Sequence, residues 1–495
     1  MTTKAAEDTI CAIATPPGAG GIGVVRISGP RAREVLTALW RGRVHPSQFE
    51  ARKLYLGSIT LPLCKGESEG VDRTVSTSPN PSLQRRGITD TIHGSRITLH
   101  GFHDKALAVF MPSPHTYTGD DVVEISCHGS QIILSRILEA CGAAGARIAA
   151  PGEFTRRAFL AGKLDLAQAE AVADLIGATS ERGARQASEQ LEGRLSAEVR
   201  EAGSRLADIR AVVEASIDFP EEGIEQWCGD IADRINDVAS RVKKLTATYG
   251  CGRMIRDGVR VAIVGRPNSG KSSLMNRLAG RDRALVHHEP GTTRDVIEER
   301  VQIGGVEFRL RDTAGVRDAG CEVEALGIAR TREEIALADL VLAVFDGSRE
   351  FGKEDEEVMA CVCARPAITI INKSDLPERL KLPSHDAQGI PLRISALTGM
   401  GMDDLSARLA AAVLSEDNIA GAHESAIVTS ARHKAALDDA LTALKGGSDA
   451  LAANDPIECI AQHLRSAQDA LGSITGEVTT DELLDRIFSR FCIGK

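Results

Sequence analysis

One stretch, Gly265-Arg266-Pro267-Asn268-Ser269-Gly270-Lys271-Ser272, restricts the middle of this chain to a strand, a tight glycine-bearing loop and a helix, in that order. It fits the spacing G-x-x-x-x-G-K-[ST], and its flanks supply the context that the spacing requires. Val259-Arg260-Val261-Ala262-Ile263-Val264 alternates and is rich in β-branched residues, which predicts a strand. Ser272 to Leu278 predicts a helix. The glycines let backbone N–H groups turn inward onto phosphate oxygens at the helix N-terminus. Lys271 is expected to reach the β- and γ-phosphates of a nucleoside triphosphate and the Ser272 hydroxyl to ligate Mg²⁺, with Ser269 and Ser273 beside them. Eight residues alone fit chance or an adenine nucleotide equally, so the segments downstream decide.

Those segments follow in a fixed order. In Gly291-Thr292-Thr293-Arg294-Asp295 a threonine hydroxyl can complete the Mg²⁺ shell in the triphosphate state. Asp312-Thr313-Ala314-Gly315 follows the strand Glu307 to Arg311; the Asp suits an outer-shell contact to the metal and the Gly an N–H to the γ-phosphate. The strand Ile368 to Ile371 runs into Asn372-Lys373-Ser374-Asp375. The Asp375 carboxylate can accept two hydrogen bonds from guanine N1–H and its 2-amino group, which adenine does not offer. The Lys373 stem can lie along the base, and Asn372 can tie this loop to the phosphate loop. Ser395-Ala396-Leu397, after the strand Leu392 to Ile394, can offer backbone N–H to guanine O6. Five elements in this order, threaded on strands, define a guanine-nucleotide domain.

The hydrolytic machinery departs from the Ras-like pattern. There a glutamine just after D-x-x-G orients the attacking water; here that place is Val316, which neither donates nor accepts a hydrogen bond. The acidic run Glu322-Val323-Glu324 lies nearby in the chain. Asn268 has two readings: its side-chain carbonyl holds a monovalent cation that supplies the charge of an arginine finger, or it only braces the loop.

At 495 residues the length suggests about three domains, and with 43% hydrophobic residues the chain can bury large cores. Aromatics make up only 3%, so stacking platforms for single-stranded nucleic acid are scarce. A formal net charge of −10 excludes a general polyanion binder, leaving nucleic-acid contact to local basic patches or to a partner. The cysteines number 11, an odd count with no C-x-x-C pair, which reads as scattered thiols in a reducing cytosol. Glu7 and Asp8 with no long apolar run argue against a secretory signal, and no uncharged apolar stretch of about 18 residues argues for a membrane span. A cytoplasmic location is expected.

From about Leu164 to Tyr249 the apolar residues take helical spacing: Leu191, Leu195 and Val199, then Leu206, Ile209 and Val213. The same texture returns after the nucleotide domain in Ile457, Ile460 and Leu464, and in Leu483, Leu484, Ile487, Phe488 and Phe491. The economical reading is one all-α domain built from two chain segments, 162–255 and 419–495, with the nucleotide domain (256–418) inserted between them; two separate helical domains are the alternative. Residues 1–161 read as α+β, with strands at Val24 to Ile27 and Val122 to Ile125. The polar segment from about Cys64 to Ser95 contains little that could enter a core and reads as a surface loop, with RNA contact by its basic residues as the alternative. Gly18-Ala19-Gly20-Gly21-Ile22-Gly23 spells G-x-G-x-x-G but is followed by a strand rather than a helix, so it reads as a glycine-rich turn and not a dinucleotide site. The chain ends Phe491-Cys492-Ile493-Gly494-Lys495, a poor prenylation signal; either the thiol is incidental, or the tail docks and the thiol is used.

Over nearly its whole length the chain resembles the MnmE (TrmE) family of tRNA-modifying GTPases. The resemblance rests on Thr15-Pro16-Pro17-Gly18, Arg26-Ile27-Ser28-Gly29, Pro151-Gly152-Glu153-Phe154, Lys163-Leu164-Asp165-Leu166-Ala167-Gln168-Ala169-Glu170, Ser216-Ile217-Asp218-Phe219-Pro220, the nucleotide motifs and the terminal Phe-Cys-Ile-Gly-Lys. It implies a cytosolic homodimer with an N-terminal tetrahydrofolate-binding domain, a helical domain and an inserted Ras-like α/β P-loop GTPase domain activated by potassium. It further implies an FAD-dependent partner of the MnmG (GidA) type, in a heterotetramer or larger assembly, that shares in adding an aminomethyl-type group to C5 of the wobble uridine of certain tRNAs. The one-carbon unit would come from a tetrahydrofolate derivative. By this resemblance Arg26, Glu124, Lys163 and Lys495 line the folate pocket with Cys492 close by. Potassium is held by Asn268 and by His287, Glu289 and Thr292, in a loop that reads His287-His288-Glu289-Pro290-Gly291. Mg²⁺ is held by Ser272 and Thr293, and Glu324 positions the hydrolytic water. The competing class is an RNA-binding switch of the Era type, for which the sequence lacks a basic RNA-binding module.

Overall fold

The computed structural model describes residues 8–61, 102–218, 228–281, 298–312, 333–362, 365–383, 390–414 and 426–494. The chain forms two compact units, residues 1–165 with 480–495, and residues 166–479.

The first unit is built on a sheet whose strands, in chain order, are β1 (Ile10–Ile13), β2 (Gly20–Ser28), β3 (Trp40–Gly42), β4 (Leu54–Leu61), β5 (Phe102–Met111), β6 (Val122–Gly129) and β7 (Arg147–Ile148). Their spatial order is β3-β4-β5-β6-β2-β1-β7, antiparallel except for β1 with β7. Period-two alternation sorts the side chains. Cys11, Val25, Ile27, Ala108, Val123 and Ile125 enter the core shared with the helices Ala32–Leu39 and Gln131–Ala143. Ile10 and Ala12 point the other way, onto Ala149 and Phe154 of the helix Glu153–Leu160. Leu61 pairs with Phe102, and the polar segment expected as a surface loop at 64–95 lies outside the described residues.

The helix Asp481–Phe488, capped by Thr480 accepting from the Leu483 amide, belongs to this first unit. The apolar core of the second unit takes residues from Ala426 to Ile474 of the second helical segment, while the helix Asp481–Phe488 packs within the first unit. Gly152 is the reason. Its φ of 65° and bare Cα admit the Phe488 carbonyl and the Phe491 Cβ, which a Cβ would meet at 2.8 Å and 3.0 Å. Arg156 also donates to Asp485 at 2.8 Å. The division between the two units falls after Asp165.

In the second unit one apolar core takes Leu195, Val199, Leu206, Ile209 and Val213 from the first helical segment and Leu437, Leu444, Ile460, Leu464 and Leu471 from the second. The helices are Leu166–Gly177, Glu181–Leu191, Arg194–Asp218, Cys228–Ala247, Ala431–Ala452 and Ile457–Thr475. The longer of them, such as Arg194–Asp218 and Ile457–Thr475, carry apolar stripes at helical spacing that they bury only by meeting the others. The helix Tyr249–Asp257 then passes through Gly258, at φ 81°, into β8 (Val259–Val264).

The second sheet adds β9 (Glu298–Ile303), β10 (Val306–Asp312), β11 (Leu340–Asp346), β12 (Ala367–Asn372) and β13 (Leu392–Arg393) in the order β13-β12-β11-β8-β10-β9. All neighbours are parallel except β9 with β10. Both faces are covered. Val261 and Ile263 enter the core of the helices Lys271–Arg281 and Met402–Leu414, while Ala262 and Val264 enter the core that also holds Val362 of the helix Lys353–Val362. Chain order reverses direction on either side of β8, and the crevice outside the carboxyl ends of such strands is where open α/β sheets bind ligands. No helix among the described residues is long and apolar enough to cross a membrane.

Candidate functional site

The phosphate loop leaves β8 at that switch point. Gly265 sits where a Cβ would stand 2.3 Å from the Val344 carbonyl, and Gly270, at φ 96°, where one would stand 2.2 Å from the Asn372 amide nitrogen. Asn268 takes the left-handed conformation at φ 63° and is exposed at the loop tip. Lys271 opens the helix Lys271–Arg281 and folds its ammonium back to the carbonyls of Gly265 at 2.7 Å and Arg266 at 2.9 Å. The Ser269 hydroxyl is buried without a hydrogen-bond partner. A glycine cradle, an orphaned hydroxyl and a buried ammonium at a helix N-terminus are the donor set a phosphate chain needs. Ser272 and Ser273 lie in the first helical turn, exposed. Arg266, in the variable part of the loop, pairs at 3.1 Å with the fully buried Asp355.

Three loops are stitched together by Asn372. Its Nδ2 donates to the Ser269 carbonyl at 2.9 Å, and its Oδ1 accepts from the Ala396 amide at 3.0 Å. The phosphate loop, the Asn372-Lys373-Ser374-Asp375 loop and the Ser395-Ala396-Leu397 turn are thus one body. The Ser395 hydroxyl donates to Asp375 and accepts from the Thr398 amide, leaving the exposed Asp375 carboxylate held at one oxygen. Of the three amides expected to face guanine O6, Ser395 donates to the Met400 carbonyl and Ala396 to Asn372, so Leu397 carries the one without a partner among the described residues. Arg277 fixes this turn through the Ala396 and Leu397 carbonyls.

Asp312 closes β10, its backbone opposite Ile263 of β8. His287, His288, Glu289, Pro290, Gly291, Thr292, Thr293, Thr313, Ala314, Gly315, Val316 and Glu324 lie outside the described residues. Among the described residues no group of three or more His, Cys, Asp or Glu side chains is placed to hold a metal ion. Asp346, at the end of β11, was not singled out by sequence reasoning, yet its carboxylate takes the Lys373 ammonium at 2.7 Å.

In the first unit Arg26 faces Glu124 across the β2–β6 ladder, on the side of the sheet away from its main core. The guanidinium meets the carboxylate at 2.8 Å and stands 5.8 Å from the centroid of the Phe154 ring. The Tyr117 hydroxyl shares a hydrogen bond with Thr155 at 2.9 Å, and burial raises its pKa. Tyr117 to Gly119 run between β2, where Thr118 meets Ser28 at 2.7 Å, and the exposed Lys163 beside Gly119. The tail reaches the same region. Gly494, at φ 98°, packs so close that a Cβ would stand 2.1 Å from the carbonyl of Ile13, whose β2 partner Val25 adjoins Arg26. The Cys492 carbonyl lies 3.5 Å from the Gly152 amide and its side chain is exposed. Lys495 lies outside the described residues. A charged pair beside an aromatic floor suits a flat heterocycle with amide-like edges.

The strand order, the glycine loop between β8 and its helix, and the Asn372 bridge define a P-loop nucleotide-binding protein with an inserted nucleotide module. Family models described as GTP-binding protein TrmE N-terminus and MnmE helical domain match residues 9–163 and 166–492. The tRNA modification GTPase MnmE of Moorella thermoacetica is 42% identical over 495 residues, covering 99% of this chain and 100% of the relative. That of Heliobacterium modesticaldum is 40% identical over 505 residues, 99% of each. The chain belongs to the MnmE family of tRNA modification GTPases and is a GTP hydrolase. Among solved structures, Era with MgGDPNP and a 16S ribosomal RNA fragment matches 31% of this chain and 55% of its own at 26% identity, with a TM-score of 0.24.

Proposed function

We propose that this chain spends GTP hydrolysis on modifying C5 of the wobble uridine of certain tRNAs, acting in the cytoplasm as a homodimer with an FAD-dependent partner and a tetrahydrofolate one-carbon donor. The observation that carries the reading is full-length likeness to relatives named tRNA modification GTPase MnmE, 42% identical across 99% of the chain. The Era-type alternative is the weaker, because relatives matching both ends of the chain bear the MnmE name.

The phosphate and base roles follow from chemistry, and the potassium, water and folate roles from the family resemblance. Lys271 and the loop amides hold the phosphates, while Asp375 and the Leu397 amide read the guanine edge. Ser272 and Thr293 would hold Mg²⁺, which would neutralise charge on the β- and γ-phosphates. Asn268 with His287, Glu289 and Thr292 would hold K⁺, which would supply the positive charge of an arginine finger, and Glu324 would orient water in place of Val316. Arg26, Glu124, Lys163 and Lys495 bind the folate, with Cys492 presented beside it on the docked tail. Mass analysis of wobble nucleosides from cells lacking the protein is expected to show the C5 groups missing; intact groups refute the reading. Turnover in KCl is expected to exceed that in NaCl by about tenfold or more, and equal rates remove the potassium assignment.

A further inference from the structure

The strand β11 is buried along its whole length and ends in a carboxylate, Asp346, that is 2% exposed. A buried carboxylate needs charge and hydrogen bonds to stay ionised. Asp346 has both. Oδ2 takes the Lys373 ammonium at 2.7 Å, and Oδ1 accepts from the Ser348 amide at 3.0 Å and its hydroxyl at 2.6 Å. Burial works to raise its pKa, but the hydrogen bonds from Lys373 and Ser348 outweigh it, so the carboxyl lies below its ordinary range. The turn after β11 is clasped to the base loop as well: the Gly347 amide donates to the Asn372 carbonyl at 2.8 Å, and the Gly347 carbonyl accepts from Arg379 at 2.8 Å.

Lys373 is therefore fixed at both ends. Its backbone is in the left-handed region at φ 65°, and its ammonium is anchored on Asp346. Between these anchors runs the methylene stem, two residues before Asp375. A lysine held in one rotamer before the ligand arrives loses little further freedom when a flat base packs on it.

We propose that Asp346 is a positioning residue of the nucleotide site, pinning Lys373 so that its stem forms a ready-made shelf for the purine ring. The inference rests on the guanine-nucleotide reading above. Asp346 touches no ligand; it acts through Lys373.

The test uses the full chain and a fluorescent GDP analogue, comparing wild type, Asp346→Asn, Lys373→Ala and the double variant in stopped-flow release and in GTP turnover. Asp346→Asn is expected to speed release about tenfold, the fold-change equivalent to freeing a lysine side chain, with kcat at saturating GTP within about twofold of wild type. In the Lys373→Ala background it is expected to add nothing, since the two act as one unit. Unchanged release in Asp346→Asn, or losses that add in the double variant, overturn the proposal. Should Asp346→Asn fail to fold, Ser348→Ala decides, because it loosens the carboxylate and keeps the ion pair: faster release supports the proposal and unchanged release overturns it. Wild-type protein with no preference for guanine over adenine nucleotides would instead overturn the nucleotide reading, and this inference with it.

Discussion

Glu170 is the hinge-pin of the helical core, and replacing it with glutamine should be costly. The Glu170 carboxylate takes Arg432 in a two-pronged contact at 2.9 Å and 3.0 Å, and its second oxygen lies 2.6 Å from Nε2 of the fully buried His433. Arg432 spends its other donors on the Ser473 and Ile474 carbonyls. Glu170→Gln leaves a guanidinium without its counter-charge, and Nδ1 of His433 already lacks a partner. Breaking one side of a buried pair costs about 3–5 kcal/mol. Glu201, paired with Arg205 at 2.9 Å on half-exposed helix surfaces, is the control, and Glu201→Gln should cost about 1 kcal/mol or less. Urea titration read by hydrogen exchange in the helices Leu166–Gly177 and Ala431–Ala452 measures both. Dependence on pH gives a second check. Burial works to raise the Glu170 pKa, but the charges and hydrogen bonds of His433 and Arg432 hold the carboxyl well below the glutamate range. A carboxyl depressed in the folded state contributes stability that is complete above its unfolded pKa of about 4.3 and is lost as pH falls through the folded value. The gap between wild type and Glu170→Gln should thus shrink as pH falls below about 4. Equal costs for the two substitutions, or a gap that widens below about pH 4, would refute the account.

Gly270→Ala drives a Cβ to 2.2 Å from the Asn372 amide at a φ of 96°, so GTP affinity should fall about a hundredfold or more in calorimetry while the sheet stays intact. Glu324→Ala should keep GTP affinity and lose most of the turnover, because water rather than nucleotide is its target; affinity falling in step would remove that role. Gly494→Ala forces a Cβ into the Ile13 carbonyl, and limited proteolysis should then clip the terminal segment many times faster than in wild type.

The strand from Val259 to Val264 and the loop after it were legible because period, glycine spacing and lysine all state one local geometry. Asn372 was legible for the same reason: its motif fixes which loop it must reach. Asp346 was not, since a strand buried on both faces shows no alternation to mark its last residue as different. Helical spacing in Leu484, Ile487 and Phe488 announced a buried stripe but not its destination, because a stripe records which face is apolar and not which core receives it. The bare Cα of Gly152 and the Arg156–Asp485 bond mark the docking site, and their partners lie more than 300 residues on, the bond spanning 329. The Glu170–Arg432 pair hides for a like reason.

That pair also carries a temporal consequence. Its members are 262 residues apart in the chain, with an entire nucleotide module between them. At a synthesis rate of about 5–20 residues per second, the early helices emerge some 13–50 s, roughly, before their partners exist. Among the described residues the six strands of the second sheet, β8 to β13, all lie between these two members in the chain. A nascent chain of this protein can therefore pair the strands that carry its phosphate loop before the partners of its early helices have been made.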